Sequence, residues 1–332
     1  MPSDTTPLLP QSSREQPPQG DSHPITLRAC HSPWRIINQK FLFTIRTILT
    51  SYLTSVAGVA LKYKLDNDDS HSGWRIPFQF STVAFVLQWI YHLTTLAWTG
   101  MHTFNPNVEE EEEDSRGSRI RTGIARFFSP SHQVTNAERL GFSMFYTVSH
   151  VFALLNTLLY WAVLVPSGHG GFKPPEFPHH RHSPGNSTGV FYDPNKGLFE
   201  EDDIKAFSIL NIWSITALIA FFEITCLNSI RRQSPVVGHV AGIVLASGLY
   251  LGWAGIGKLA TDHWGLFFLD PKLVGDSQWA AVAGGIGFVA LAPAGESYPL
   301  GASVRVESAN VPRVFTYVYG LIAMRESVTA AH

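Results

Sequence analysis

The chain is expected to fold as an all-α, polytopic membrane helix bundle of about six transmembrane helices, the sixth interrupted by an insertion. Three observations lead there. Hydrophobic residues make up 45% of the 332 and charged residues only 15%, against roughly 25% charged in an ordinary globular domain. Five stretches approach the ~20 apolar residues that a membrane-crossing helix needs: Phe41–Leu61, Phe78–Trp98, Gly141–Val165, Ala206–Leu227 and Val236–Gly257. A sixth begins at Trp279 and stops short at Ala294. These segments are apolar on most faces rather than along one stripe, and Trp and Tyr gather near several ends, as at a membrane interface.

Residues 1–40 are rich in Pro, Ser, Gln and charge, the composition of a disordered tail, and no cleavable signal peptide is recognisable in them. The first span is then its own insertion signal. Within the tail, Asp4, Leu8 and Leu9 fit an acidic dileucine sorting address, which predicts a vacuolar or endolysosomal membrane. Residues 41–100 hold spans one and two. The second is unusually polar, with Gln79, Ser81, Thr82, Gln88, His92, Thr94 and Thr95. A charged loop follows at 101–139, acidic then basic, the pattern of a solvated segment whose basic half suits anionic headgroups.

Spans three to six occupy 140–332, with a long loop at 166–205 and an insertion at 295–313. The insertion carries Glu296, Arg305, Glu307, Arg313, Pro299 and Pro312, which do not suit a lipid-exposed helix. Its flanks, 16 and 11 residues of apolar chain, would together make one span. A re-entrant loop is the competing reading.

Lys and Arg number twelve on the side of the N-terminus and nine on the other, which places both termini in the cytosol. The sequon at Asn186 then falls on the lumenal or extracellular side, where it can be glycosylated. The net charge of −2 argues against nucleic acid, so the expected partners are membrane lipids. Two cysteines, Cys30 and Cys226, make no disulfide framework. The loop histidines His169, His179, His180 and His182 are spaced by Pro and Gly, so neither a metal site nor any cofactor is predicted. Isolated polar residues inside spans serve first as interhelical hydrogen bonds. On that basis Arg46 is expected to snorkel to the cytosolic surface and Glu223 to meet Arg231 or Arg232. The glycines of "GHVAGIVLASGLYLGWAGIG" are expected to form a face for close helix approach.

The order of several phrases carries a resemblance. "WRIPFQFSTVAFVLQ" enters the second span, "FALLNTLLYWAVLVPSG" lies in the third and "LNIWSITALIAFFEI" in the fourth. "GLYLGWAGIGKLATDHWGLFFLDP" ends the fifth. Together they resemble the androgen-induced and androgen-dependent TFPI-regulating family of membrane-embedded hydrolases, over about residues 35–100 and 139–330. The resemblance implies cleavage of hydroxy-fatty-acid esters by a threonine early in the second span and a histidine early in the fourth. The nucleophile position falls on Ser81, beside Thr82. The base position falls on Trp213 or Ile215, neither a histidine, so the family base is missing. His263 and His150 are the substitute bases the chain offers. The alternative is a catalytically inactive bundle that binds lipid or a partner.

Overall fold

The computed structural model describes residues 25–66, 73–104, 135–165, 203–230, 236–274, 276–292 and separate positions between 318 and 329. Regular structure among these residues is helical throughout. A short α1 (Ile25–Ala29) precedes five helices long and apolar enough to cross a membrane. These are α2 (Gln39–Asp66), α3 (Phe80–Phe104), α4 (Asn136–Leu164), α5 (Asp203–Leu227) and α6 (Val236–Thr261). A shorter apolar helix, α7 (Gln278–Leu291), follows. The chain is a multi-pass membrane helix bundle.

Local chemistry sets several boundaries. At the start of α4, Thr135 and Glu138 form a reciprocal capping box, each satisfying the other's backbone N–H. Ser277 caps α7 by accepting from the Ala280 N–H at 3.2 Å. α6 ends at Asp262, whose φ of 59° turns the chain in the left-handed region. Lys258 clasps that turn through the Asp262 carbonyl at 2.8 Å and carboxylate at 2.5 Å, and this contact holds the Asp262 carboxyl below its usual range.

Contacts between helix ends give the directions. Lys64, late in α2, bonds Gln79 just before α3. Trp98, late in α3, packs on Phe142, early in α4. Asn156 of α4 reaches Ile212, early in α5. Ser143 and His239, both near the starts of their helices, meet, so α6 runs parallel to α4. One end of the bundle, here the tail end, gathers α1, the end of α5 and Arg325. The other, the loop end, gathers the connections at 73–79 and 262–274.

The core is centred on Phe80. Its ring lies 5.2 Å from Phe152, 5.0 Å from Tyr250 and 5.0 Å from Phe288, joining α3, α4, α6 and α7. A second cluster joins Leu53 and Val56 of α2, Phe85 of α3 and Ile212 and Ile219 of α5. Outward-facing Leu218, Leu245, Leu249 and Ile286 are each more than 60% exposed, the apolar surface that hydrocarbon covers.

Two glycines of α6 closely meet a neighbouring helix or connection. A Cβ at Gly242 would meet Met144, and one at Gly257 would meet Phe78, whereas Gly248, Gly252 and Gly255 have nothing within 4 Å. The expectation of a continuous packing face is corrected accordingly.

The insertion at 295–313 lies outside the described residues. α7, at 14 residues, is about 21 Å long, short of the ~30 Å hydrocarbon core. If Gly295 to Pro312 were removed, a helix continuing from Gln278 would bring Arg325 about 44 Å along its axis, close to the ~42 Å of α2. Deletion of these residues is therefore expected to leave the thermal midpoint in detergent unchanged or higher. A lower midpoint would remove the insertion reading.

Candidate functional site

Five polar residues of α3 fall on one helical face. Ser81, Gln88, His92, Thr95 and Thr99 are all buried, at spacings of three, four and seven. Thr94 lies off this face and returns its hydroxyl to the Ile90 carbonyl. The stripe looks inward on a polar core at the tail end, organised by Arg46 of α2. Its guanidinium donates to Glu223 Oε1 at 2.9 Å, to the Thr99 hydroxyl at 2.7 Å and to the carbonyls of Ala29, Thr95 and Leu227. Tyr91 donates to the same Glu223 oxygen at 3.0 Å. Both ionic side chains are fully buried. The snorkelling expectation for Arg46 is thus corrected; Glu223 pairs with Arg46, while Arg231 and Arg232 lie outside the described residues. A charge this deep is held because five acceptors surround it.

α5 is interrupted by two wide turns in which a backbone N–H reaches five residues back. Thr216 bonds the Asn211 carbonyl, and Asn228 bonds Glu223 at 3.2 Å. The carbonyls released from the helical ladder find other donors. Asn156 of α4 donates to Ile212 at 3.1 Å, and Thr157 donates to Trp213. At the second turn Arg325 donates to Ile224 at 2.9 Å and to Asn228 at 2.6 Å. Trp213, one of the two positions at which the resemblance would put a base, stacks on Tyr160 at 4.6 Å. Ile215, the other, packs on the cluster around Phe85. Neither position offers a proton acceptor.

At the loop end the start of α3 is fastened by its neighbours. The Phe80 N–H donates to the Gly265 carbonyl at 3.3 Å. Tyr250 donates to the Phe78 carbonyl at 3.1 Å, and Trp253 to Pro77 at 2.9 Å. Here Ser81 is 5% exposed, and its hydroxyl makes no hydrogen bond among the described residues. Thr82, the next residue, accepts from the Lys64 ammonium at 3.3 Å, and Gln79 accepts from the same ammonium at 2.6 Å.

Neither predicted base is bonded to Ser81. The His150 ring packs at 4.7 Å on Tyr91, ten residues along the helix from Ser81, which is about 15 Å at the helical rise. Its Nδ1–H is directed to the Tyr146 carbonyl at 2.7 Å. His263 lies two residues from Gly265, close in sequence to the α3 contact, but it is exposed and bonded to the Thr261 carbonyl at 3.0 Å. Sequence reasoning missed Lys64. The signal it carried was a cation at the end of a span facing the polar start of the next.

Cys30 is not a second nucleophile. Burial pushes its thiol up to about 12, and the thiolate is the reactive form. Maleimide at pH 7.5 is expected to leave Cys30 unmodified in the folded protein and to label it after denaturation, read by intact mass. Rapid labelling of the native state would contradict its burial. Asp4, Leu8, Leu9, Asn186 and the four loop histidines lie outside the described residues. Comparison of the chain with protein-family models, with curated proteins and with solved structures found no match.

Proposed function

We propose that the chain is a membrane-embedded hydrolase of fatty-acid esters, with its nucleophile at the loop-end start of α3. The observation that supports this is the Lys64 amine 3.3 Å from the Thr82 hydroxyl, one residue from Ser81. Hydroxyl–lysine pairs are an established alternative to hydroxyl–histidine pairs for activating a nucleophile. Lys64 replaces the missing histidine from a different helix, and the geometry favours Thr82 over Ser81. In this step the Lys64 amine takes the hydroxyl proton as the oxygen attacks the ester carbonyl.

The test is covalent labelling by a fluorophosphonate in native membranes, because such probes trap activated hydroxyls. Label on the peptide containing residues 81 and 82 is expected, lost in Thr82→Ala and reduced at least 100-fold in rate by Lys64→Met. Loss in Ser81→Ala alone would return the nucleophile to Ser81. An unlabelled peptide would favour the second reading, a catalytically silent lipid-binding bundle. That reading draws on the unpartnered Ser81 hydroxyl and on Trp213 and Ile215 standing where a base is required.

A further inference from the structure

At the tail end of the bundle, away from Ser81 and Thr82, Ser143 Oγ lies 2.6 Å from His239 Nε2. The two residues are 96 apart in sequence, on α4 and α6, and each is only 2% exposed. We infer that Ser143 and His239 are the nucleophile and general base of a second ester-cleaving centre, at headgroup depth on the tail end. It does not rest on the loop-end reading.

The geometry is what acyl transfer asks of such a pair. A serine becomes nucleophilic when a base within about 2.6–3.2 Å can accept its proton. His239 is the fourth residue of α6, so the positive end of that helix lies beside it. That positive end also stabilises negative charge forming nearby.

The surroundings choose the substrate class. Ser143 stands seven residues into α4, and the chain just before each residue is exposed, at Leu140 and Val237. On the hydrocarbon side the pair is followed by Met144, whose flexible end lies over Gly242, and by the fully buried Ile243. Along α6 the outward side chains Leu245 and Leu249 continue the apolar surface. An ester with its polar part at the interface and a long acyl chain along α6 matches this gradient. A free water-soluble ester does not.

Every atom in the reaction has a place. Ser143 Oγ bonds to the acyl carbon as its proton passes to His239 Nε2, and the resulting tetrahedral centre collapses with cleavage of the ester C–O bond. His239 returns that proton to the departing alkoxide, which leaves as the alcohol. Water then attacks the Ser143 acyl ester while giving a proton to His239. The fatty acid leaves as the Ser143 C–O bond breaks, and the serine recovers its proton.

The experiment is a fluorophosphonate carrying a long alkyl chain, applied to the full chain in native membranes, with the modified peptide located by mass spectrometry. Label on the peptide containing Ser143 is expected, absent in Ser143→Ala and at least 100-fold slower in His239→Gln. Thr82→Ala and Ser81→Ala should leave it unchanged. Label confined to residues 81–82 would overturn this inference and uphold the loop-end reading, and label confined to Ser143 would do the reverse. A folded wild-type protein with no label at Ser143 overturns it without recourse to any variant. Label that is indifferent to His239→Gln overturns the role of the base.

Discussion

Truncating Glu223 to alanine is expected to lower stability by about 3–5 kcal/mol, because it leaves the Arg46 guanidinium buried without its counter-charge. The carboxylate is the one anionic partner of Arg46 among the described residues, and both side chains are fully buried. The other acceptors of Arg46 are neutral, and two of them, the carbonyls of Ala29 and Leu227, join α1 to the end of α5. The loss therefore extends to the packing of α1. Equilibrium unfolding in mixed micelles, with the wild type alongside, measures it. Replacing both partners, as Arg46→Met with Glu223→Leu, should cost less than Glu223→Ala alone, since no lone charge remains. A loss below about 1 kcal/mol for Glu223→Ala would mean that the pair is solvated. In that case it would resemble the weak interhelical bonds typical of membrane bundles, averaging about 0.6 kcal/mol.

Gly265→Ala is the second large effect. A methyl group there would stand 2.1 Å from the Phe78 carbonyl oxygen and 2.7 Å from the Tyr250 hydroxyl. The first of these is backbone and cannot swing aside, so the strand of chain at 262–266 must move away from the start of α3. That movement breaks the Phe80–Gly265 bond and disturbs the Tyr250–Phe78 bond. The expected cost is about 1–3 kcal/mol, with a matching loss of fluorophosphonate label at residues 81–82 as Gln79 and Thr82 shift from Lys64. Gly242→Ala is the control. Its added methyl would meet the Met144 side chain, the terminal methyl at 1.4 Å and the sulfur at 3.0 Å, a flexible chain end that can rotate away, so a smaller change is expected. Equal midpoints for the two variants would show that the 262–266 segment yields freely.

Much of the bundle was legible before any coordinates. Segments such as Gly141–Val165 and Ala206–Leu227 are too uniformly apolar to be anything but spans, and they match α4 and α5 to within a few residues. The candidate sites were far less legible. Ser81 was placed by resemblance, yet its hydroxyl meets no base among the described residues: His150 sits at another level of the bundle and His263 is exposed. Lys64 and Thr82 are 18 residues apart, and Ser143 and His239 are 96 apart. No local pattern connects either pair.

Composition and hydropathy by themselves determined that the chain enters a membrane as several helices, because backbone groups in hydrocarbon must bond within their own segment. They also located those helices to within about five residues, since length and apolarity are properties of single segments. Which polar side chains share an interior was decided only by the tertiary structure. Arg46, read alone, suits a snorkelling role near the surface as well as a buried one. Its burial follows from Glu223 on α5, Thr99 on α3 and the carbonyl of Ala29 converging on it. The same holds for the wide turns of α5, whose freed carbonyls are tolerable because Asn156, Thr157 and Arg325 arrive from other helices. Desolvation makes a buried polar group costly or harmless according to its partners, and those partners belong to helices distant in sequence.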